Sequence, residues 1–280
     1  MKKMQLFVAS LMLAIGVQAQ VKAPQPSPSS KIEQVVGLTD ISVSYSRPSM
    51  KGRAIYGDLV PFDKLWRTGA NKNTEISFSD DVKVNGQELK KGNYALFTKP
   101  GKDNWEILFY SDTKNWGTPK KWDDTKVAAK FSVKPTAIPM NVETFTLMFS
   151  DLKMDSGLLN LLWEKTEVAI KIEVPSKEAT IASIEKTMAG PSDNDHYKAA
   201  SFYYDTEDYA KAKTHIDKAI SLRKEPAFWM YRKQSLIYEK SNDKKGAIAA
   251  AKTSLELATK AENDDYVKLN TDFLKKLGAK

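Results

Sequence analysis

Between residues 31 and 174, apolar and polar positions alternate in short runs, which is the pattern of half-buried β-strands. The segment ISVSYS at 41–46, for example, places apolar residues and serines on opposite faces. Turn sequences such as Asn85-Gly86 separate the runs. Roughly nine or ten short strands with few helical intervals are typical of antiparallel sandwiches and barrels. We predict an antiparallel β-sandwich.

The end of this region predicts a particular supersecondary element. Two apolar runs, 158–163 and 168–174, flank the polar tetrapeptide EKTE at 164–167. Two strand-like runs joined by a short polar segment are typical of a β-hairpin. We therefore expect a hairpin to close the β region.

After Pro175 the apolar period changes to that of amphipathic helices. A break at Gly190-Pro191 separates the first two helices, and Ser192 or Asp193 can cap the second. Helices are predicted near 177–189, 193–205, 208–223, 227–240, 243–259 and 263–277.

The helical region repeats when it is shifted by 35 residues along itself. The residues Ala200, Tyr203, Ala212, Ile216 and Ala219 then fall on Ser235, Tyr238, Ala247, Ala251 and Ser254. Small residues at such positions allow helices to cross closely, and the region resembles tetratricopeptide repeats over about 193–261. The fold class is thus a β-sandwich followed by tetratricopeptide-like α-helical repeats, with a plain helical bundle as the alternative.

The first residues predict export. Lys2 and Lys3 precede an apolar stretch at 6–17, and small residues end it at Ala19. This stretch is shorter than the ~20 residues that a membrane-spanning helix needs. We expect a signal peptide at 1–19, a periplasmic or secreted location, and no transmembrane segment in the mature chain. An uncleaved membrane anchor is the alternative.

The domain organisation follows from these patterns. Residues 20–30 are rich in Pro and Ser and predict an extended leader without a packed core. The predicted β-sandwich domain then occupies 31–175, and the predicted helical domain occupies 176–280.

Composition excludes several classes of site. The 280 residues include no Cys and only two His, which excludes disulfide scaffolds, zinc–thiolate sites and iron–sulfur clusters. The net charge of +8 is spread over both halves of the chain, whereas nucleic-acid binders concentrate basic residues on one surface. We therefore expect no nucleic-acid partner, no metal and no cofactor.

The segment 47–75 contains the most unusual chemistry. Arginine presents a planar fork of donors to carboxylates and phosphates, an indole ring provides a stacking face, and asparagine both donates and accepts. We therefore predict a binding site for an anionic or sugar-like small ligand. Its candidate residues are Arg47, Arg53, Trp66, Arg67 and Asn71. The alternative is an ordered connection in which the arginines pair with acidic neighbours.

The same segment carries a family resemblance. Its motifs are Arg47-Pro48, Lys51-Gly52-Arg53, Leu59-Val60-Pro61 and the run WRTGAN at 66–71, followed by GNYALF at 92–97, Pro100-Gly101 and Asn115-Trp116-Gly117. Together they resemble the domain-of-unknown-function family 2911 over about residues 30–174. The resemblance implies an exported β-rich domain, often followed by helical repeats, with no established activity.

Aromatic residues suggest two further surfaces. Trp116 and Trp122 are candidates for a carbohydrate platform, whereas Trp105 lies in an apolar strand and is expected in the core. Resemblance to tetratricopeptide repeats implies a groove for a protein partner. The residues expected to line that groove are Tyr197, Tyr204, Trp229 and Arg232.

The function that these features favour is binding by an exported protein, through a ligand site in the sandwich or a protein groove in the helices. Residues 20–175 contain no His or Cys, which restricts catalytic bases and nucleophiles to other side chains. Two alternatives stay open. One is an extracytoplasmic, carbohydrate-active hydrolase with a pair of carboxylates, which have no fixed sequence spacing; the other is a structural component of the envelope. No catalytic residue is predicted.

Overall fold

The computed structural model describes residues 23–188 and 190–279, and the chain divides after Ser176 into two units. The predicted signal peptide at 1–19 and the first residues of the leader lie outside the described residues. No helix in the described part of the chain is both long and apolar enough to cross a membrane.

The first unit contains ten strands in its described residues. They are β1 (Ser29–Val36), β2 (Thr39–Ser46), β3 (Thr74–Phe78), β4 (Val82–Val84), β5 (Gln87–Leu89), β6 (Gly92–Lys99), β7 (Trp105–Tyr110), β8 (Val127–Val133), β9 (Thr136–Ser150) and β10 (Ser156–Glu173). One antiparallel sheet has the order β1-β2-β3-β6-β7-β8, and the other has the order β5-β4-β10-β9.

One hydrophobic core lies between the two sheets. The apolar residues Ile41 and Val43 of β2 belong to it together with Phe145 of β9, because alternate residues of each strand point inward. A hydrogen bond also joins the sheets: the backbone N–H of Leu147 donates to the hydroxyl of Tyr45 at 3.0 Å. The prediction of an antiparallel β region is confirmed.

The predicted closing hairpin is wrong. Residues 156–173 form the single strand β10, which pairs with β9 from Leu158 to Glu167 and with β4 at its end. The polar tetrapeptide is a bulged part of this strand, with register shifts around Glu164, whose φ is +55°. It contains no Gly, Asn or Pro to form a tight turn, so the chain bends without reversing.

The second part of the chain is helical, as predicted. The described residues contain α1 (Ser176–Thr187), α2 (Asp193–Asp205), α3 (Tyr209–Leu222), α4 (Phe228–Lys240), α5 (Lys244–Lys260) and α6 (Asp264–Lys276). Ser192 caps α2 in a capping box, in which the N–H of Asp195 donates to its hydroxyl at 3.2 Å.

Small side chains allow the helices to pack closely. Ala212, Ala247 and Ala251 are fully buried, and a Cβ added to Gly246 would lie 2.3 Å from the ring of Tyr238. Asn270 is also fully buried and donates to the hydroxyl of Ser254 at 2.8 Å. Tetratricopeptide-like repetition of these helices stays a prediction.

Candidate functional site

The connection between β2 and β3 is long, and its backbone is held in uncommon conformations. Thr68 is fully buried and has φ of +53°, which a β-branched residue adopts only at a cost. The residues beside it are fixed, because Trp66 and Thr98 exchange backbone hydrogen bonds of 2.7 and 3.0 Å. The hydroxyl of Thr74 also donates to the carbonyl of Thr68. The side chain of Arg67 therefore extends from a defined backbone position.

Gly69 allows this connection to approach β2. Its φ is +149°, and a Cβ at this position would lie 3.0 Å from the backbone oxygen of Ser46 and 3.2 Å from the hydroxyl of Thr74. Any larger residue would be strained and crowded there. The glycine serves close backbone packing.

A cleft of about 420 Å³ opens along this connection. Its size is within the range of small-molecule sites. The cleft is lined by Ser27, Pro48, Arg53, Leu59, Val60, Pro61, Lys64, Leu65, Trp66, Arg67, Gly69, Ala70, Thr118 and Trp163.

The charged side chains that line the cleft are all basic: Arg53, Lys64 and Arg67. Arg53 is partly occupied, since its Nε donates to the carbonyl of Met50 at 2.8 Å and its Nη2 to the carbonyl of Ser49 at 2.7 Å. The side chain of Arg67 is half-buried and forms no hydrogen bond or ion pair with any residue within 23–188 and 190–279, although its backbone carbonyl accepts from the N–H of Thr74 at 3.2 Å. The cleft thus contains a cation whose donors are uncommitted.

Two indole rings form an aromatic wall. Trp66 and Trp163 stack with ring centroids 5.9 Å apart and planes at 18°. The indole N–H of Trp66 donates to the carbonyl of Gly69 at 3.1 Å, and that of Trp163 donates to the carbonyl of Glu143 at 3.2 Å. Both polar atoms of these rings are therefore already used within the fold.

Tyr56 packs behind this wall. Its ring meets that of Trp105 edge to face, with centroids 4.9 Å apart. Burial, followed by the negative charge of Glu164, raises the pKa of Tyr56 far above its ordinary value, so the phenol stays neutral. Tyr56 therefore contributes packing and no charge.

Two predicted site residues lie outside the set that lines the cleft. Arg47 donates from Nε to the carbonyl of Phe145 at 3.0 Å and from Nη2 to the hydroxyl of Thr146 at 2.7 Å. Asn71 donates to the carbonyl of Ser27 at 3.1 Å. Both side chains attach the connection to neighbouring segments.

A family model described as a protein of unknown function (DUF2911) matches residues 27–172. The chain belongs to this family. The match includes every residue that lines the cleft, from Ser27 to Trp163, and ends before the helical unit. No curated protein and no solved structure matches the chain.

Sequence reasoning missed some of the residues that line the cleft of the DUF2911 domain. Lys64 and Leu59 lie in the segment 47–75, and Leu59 belongs to a motif of the family resemblance, but neither residue type indicated ligand binding. Trp163 lies in β10, about a hundred residues after Trp66 in the chain, and the alternation of apolar and polar residues identified it only as a strand residue.

The other tryptophans of the DUF2911 domain have different surroundings. Trp105 is 2% exposed and lies in the core. Trp122 stacks on Tyr110 with centroids 4.4 Å apart, and its indole N–H donates to Asp124. Trp116 is 77% exposed. Trp122 is therefore engaged in packing, whereas Trp116 faces solvent.

Outside the DUF2911 domain, the predicted partner-binding residues form aromatic and cation–π contacts. The rings of Tyr197 and Trp229 meet edge to face at 4.7 Å, and the ammonium of Lys233 lies 4.8 Å from the ring of Tyr204. The guanidinium of Arg232 lies 4.7 Å from the ring of Phe273. Its Nη1 is buried and has no hydrogen-bond partner in the described residues, and burial lowers the pKa of Arg232.

Proposed function

We propose that this chain is an exported binding protein whose DUF2911 domain holds a small anionic ligand in the cleft beside Arg67. The observation that carries the proposal is the half-buried guanidinium of Arg67 without a partner in the described residues. Arg53 and Lys64 add positive charge, and none of the described residues that line the cleft carries a carboxylate. Because a guanidinium binds carboxylates and phosphates through two parallel hydrogen bonds, an anion is the complementary ligand.

Binding fits this cleft better than hydrolysis does. A glycosidase of the ordinary kind needs two carboxyl groups on either side of the scissile bond. None of the described residues that line the cleft has a carboxyl group, and residues 20–175 contain no His or Cys. The cleft has donors that can hold an anion, but its described lining lacks the pair of carboxyl groups that such a hydrolase needs.

The binding proposal is tested by thermal unfolding of the mature chain with phosphate and with simple carboxylates. A ligand at a hundred times its dissociation constant stabilises the folded state by ~2.7 kcal/mol. We expect an anion to raise the melting temperature of the wild type, and Arg67→Gln to abolish that rise. Lys121→Gln removes an equal charge from an exposed position outside the lining, and the rise in melting temperature should persist in this variant. A rise that survives in Arg67→Gln would contradict the proposal.

Export is part of the same proposal. It is supported by the lysine-flanked apolar stretch at 6–17 and by the small residue Ala19. Mass spectrometry of the protein from the periplasm or the medium should find Gln20 as the first residue. An intact Met1 on membrane-bound protein would contradict export with cleavage.

The helical unit supports a second candidate function, which is binding of an acidic segment of a partner protein. The supporting observation is the buried Nη1 of Arg232, which has no hydrogen-bond partner in the described residues, although the guanidinium lies over the ring of Phe273. A glutamate-rich peptide should bind the mature chain in titration calorimetry, and Arg232→Gln should weaken that binding at least tenfold. Equal binding by Arg232→Gln would contradict this role.

A further inference from the structure

We propose that the ligand of the cleft is an aromatic carboxylate, with one carboxylate on a flat apolar body of one or two rings. This inference rests on the proposed function, which requires only that the cleft bind an anion. It adds the shape and polarity of the remainder of the ligand.

The uncharged part of the lining is mostly apolar. Its apolar side chains are Pro48, Leu59, Val60, Pro61, Leu65, Trp66, Ala70 and Trp163. Among the lining residues, the only uncharged side chains with a hydrogen-bonding group besides the two indoles are Ser27 and Thr118. Leu59 is 40% exposed, so apolar surface faces solvent at the cleft. An apolar ligand body would remove this surface from water.

The indole groups strengthen this conclusion. The N–H groups of Trp66 and Trp163 are both bound to backbone carbonyls. The half-buried ring of Trp66 therefore presents apolar surface to a ligand, and Trp163, which is 1% exposed, stacks against it. A sugar acid would bring several hydroxyl groups, each of which loses hydrogen bonds to water on burial. The lining contains no Asn, Gln, Asp or Glu side chain to replace those bonds. The surroundings therefore favour rings without hydroxyl groups.

The charge of the cleft favours a carboxylate over phosphate. Two donors of Arg53 already bind carbonyls, and Lys64 is exposed, whereas the planar fork of Arg67 is uncommitted. One such fork balances the single charge of a carboxylate, whereas a phosphate carries nearly two charges at neutral pH. A cleft of about 420 Å³ accommodates a carboxylate together with a body of one or two rings.

The test uses 2-naphthoate as the probe and titration calorimetry on the mature full chain. Three comparison compounds are used: 2-naphthalenemethanol lacks the charge, glucuronate has hydroxyl groups in place of the aromatic body, and inorganic phosphate both replaces the carboxylate and has no body. We expect 2-naphthoate to bind at least tenfold more tightly than each of them. Arg67→Gln should weaken its binding at least tenfold, and Lys121→Gln should leave it unchanged.

A second variant tests the apolar body separately from the charge. Leu59 is partly exposed, so Leu59→Gln is compatible with folding, which circular dichroism can verify. Leu59→Gln should weaken the binding of 2-naphthoate and leave the weaker binding of phosphate unchanged. Equal loss for both compounds would contradict the inference.

The remaining outcomes separate this inference from the proposed function. Glucuronate or phosphate binding as tightly as 2-naphthoate, with loss in Arg67→Gln, would overturn the aromatic class and retain the anion site. Equal binding of the neutral alcohol would overturn the role of charge. No binding of any anion would overturn both.

Discussion

The two units bury their cores with side chains of opposite size. The largest fully buried side chains belong to the β unit and include Trp105, Trp163 and Phe145. In the helical unit, the fully buried residues are mostly small, with Ala212 and Ala247 as examples. Sheets that pack face to face are about 10 Å apart and need large residues to fill the space, whereas crossing helices approach closely only at small residues. The units should therefore be sensitive to opposite changes in volume.

The largest expected effect comes from creating a cavity in the β unit. Phe145 is fully buried among Tyr45, Trp66 and Trp163. Phe145→Ala should lower the free energy of unfolding of this unit by about 3–5 kcal/mol, as measured by urea denaturation. Met148→Ala, at a 45% exposed position of the same strand, should change it little. Equal losses in the two variants would contradict the comparison.

In the helical unit, a larger buried side chain should be the change that destabilises the fold. Ala247 is fully buried in α5, whereas Ala249 in the same helix is exposed. Ala247→Leu should destabilise the helices by about 1–3 kcal/mol, seen in urea denaturation followed by circular dichroism at the helical band. Ala249→Leu is the control and should be nearly neutral. A neutral Ala247→Leu would show that small residues are not required between these helices.

Two arginines of the β2–β3 connection should affect stability differently, because the side chain of Arg47 is hydrogen-bonded to β9 and that of Arg67 has no partner in the described residues. Without ligand, Arg47→Gln should cost about 1.5 kcal/mol by removing charged hydrogen bonds to β9. Arg67→Gln should change stability by less than about 0.5 kcal/mol. The measurement is the urea midpoint of each variant. Reversal of this order would mean that Arg67 supports the fold.

The smallest expected effect is a dependence on pH. His196 and His215 lie in α2 and α3 with their Nδ1 atoms 2.9 Å apart, so one of them must donate to the other. Burial is the main cause that lowers the pKa of both histidines below 6.5. The positive charge of Lys218 adds to this effect at His196, and the charges of His196 and Lys211 add to it at His215. Asp195 opposes the shift at His196.

The direction of this pH dependence follows from proton linkage. Below about pH 6.5 the unfolded chain binds more protons than the folded pair, so stability is complete above this pH and decreases as the pH falls toward the folded pKa values. The helical midpoint in urea should decrease between pH 7 and pH 5.5. His196→Gln and His215→Gln should each reduce this dependence. The β unit has no histidine in its described residues and is the internal control; an equal decrease there would contradict the assignment.

Much of the fold could be predicted because its signals are local. Alternation at 41–46 predicted β2, and the change of period after Pro175 predicted the helices. The prediction of a closing hairpin was wrong because the local pattern of apolar and polar residues does not distinguish a turn from a β-bulge. The bulge at Glu164 depends on pairing with β9, which begins about thirty residues earlier.

By itself the sequence determined the succession of strands and helices, and it identified the segment that contains Arg53, Trp66 and Arg67. Periodicity and turn chemistry act over a few residues, which is why they can be read along the chain. Only the tertiary structure decided that the side chain of Arg47 is bound to β9 while that of Arg67 has no partner in the described residues, and that Trp163 stacks beside Trp66 in the lining of the cleft. Hydrogen bonding and burial depend on distant strands brought together by the core, so arginines that are equivalent in the sequence become different groups in the fold.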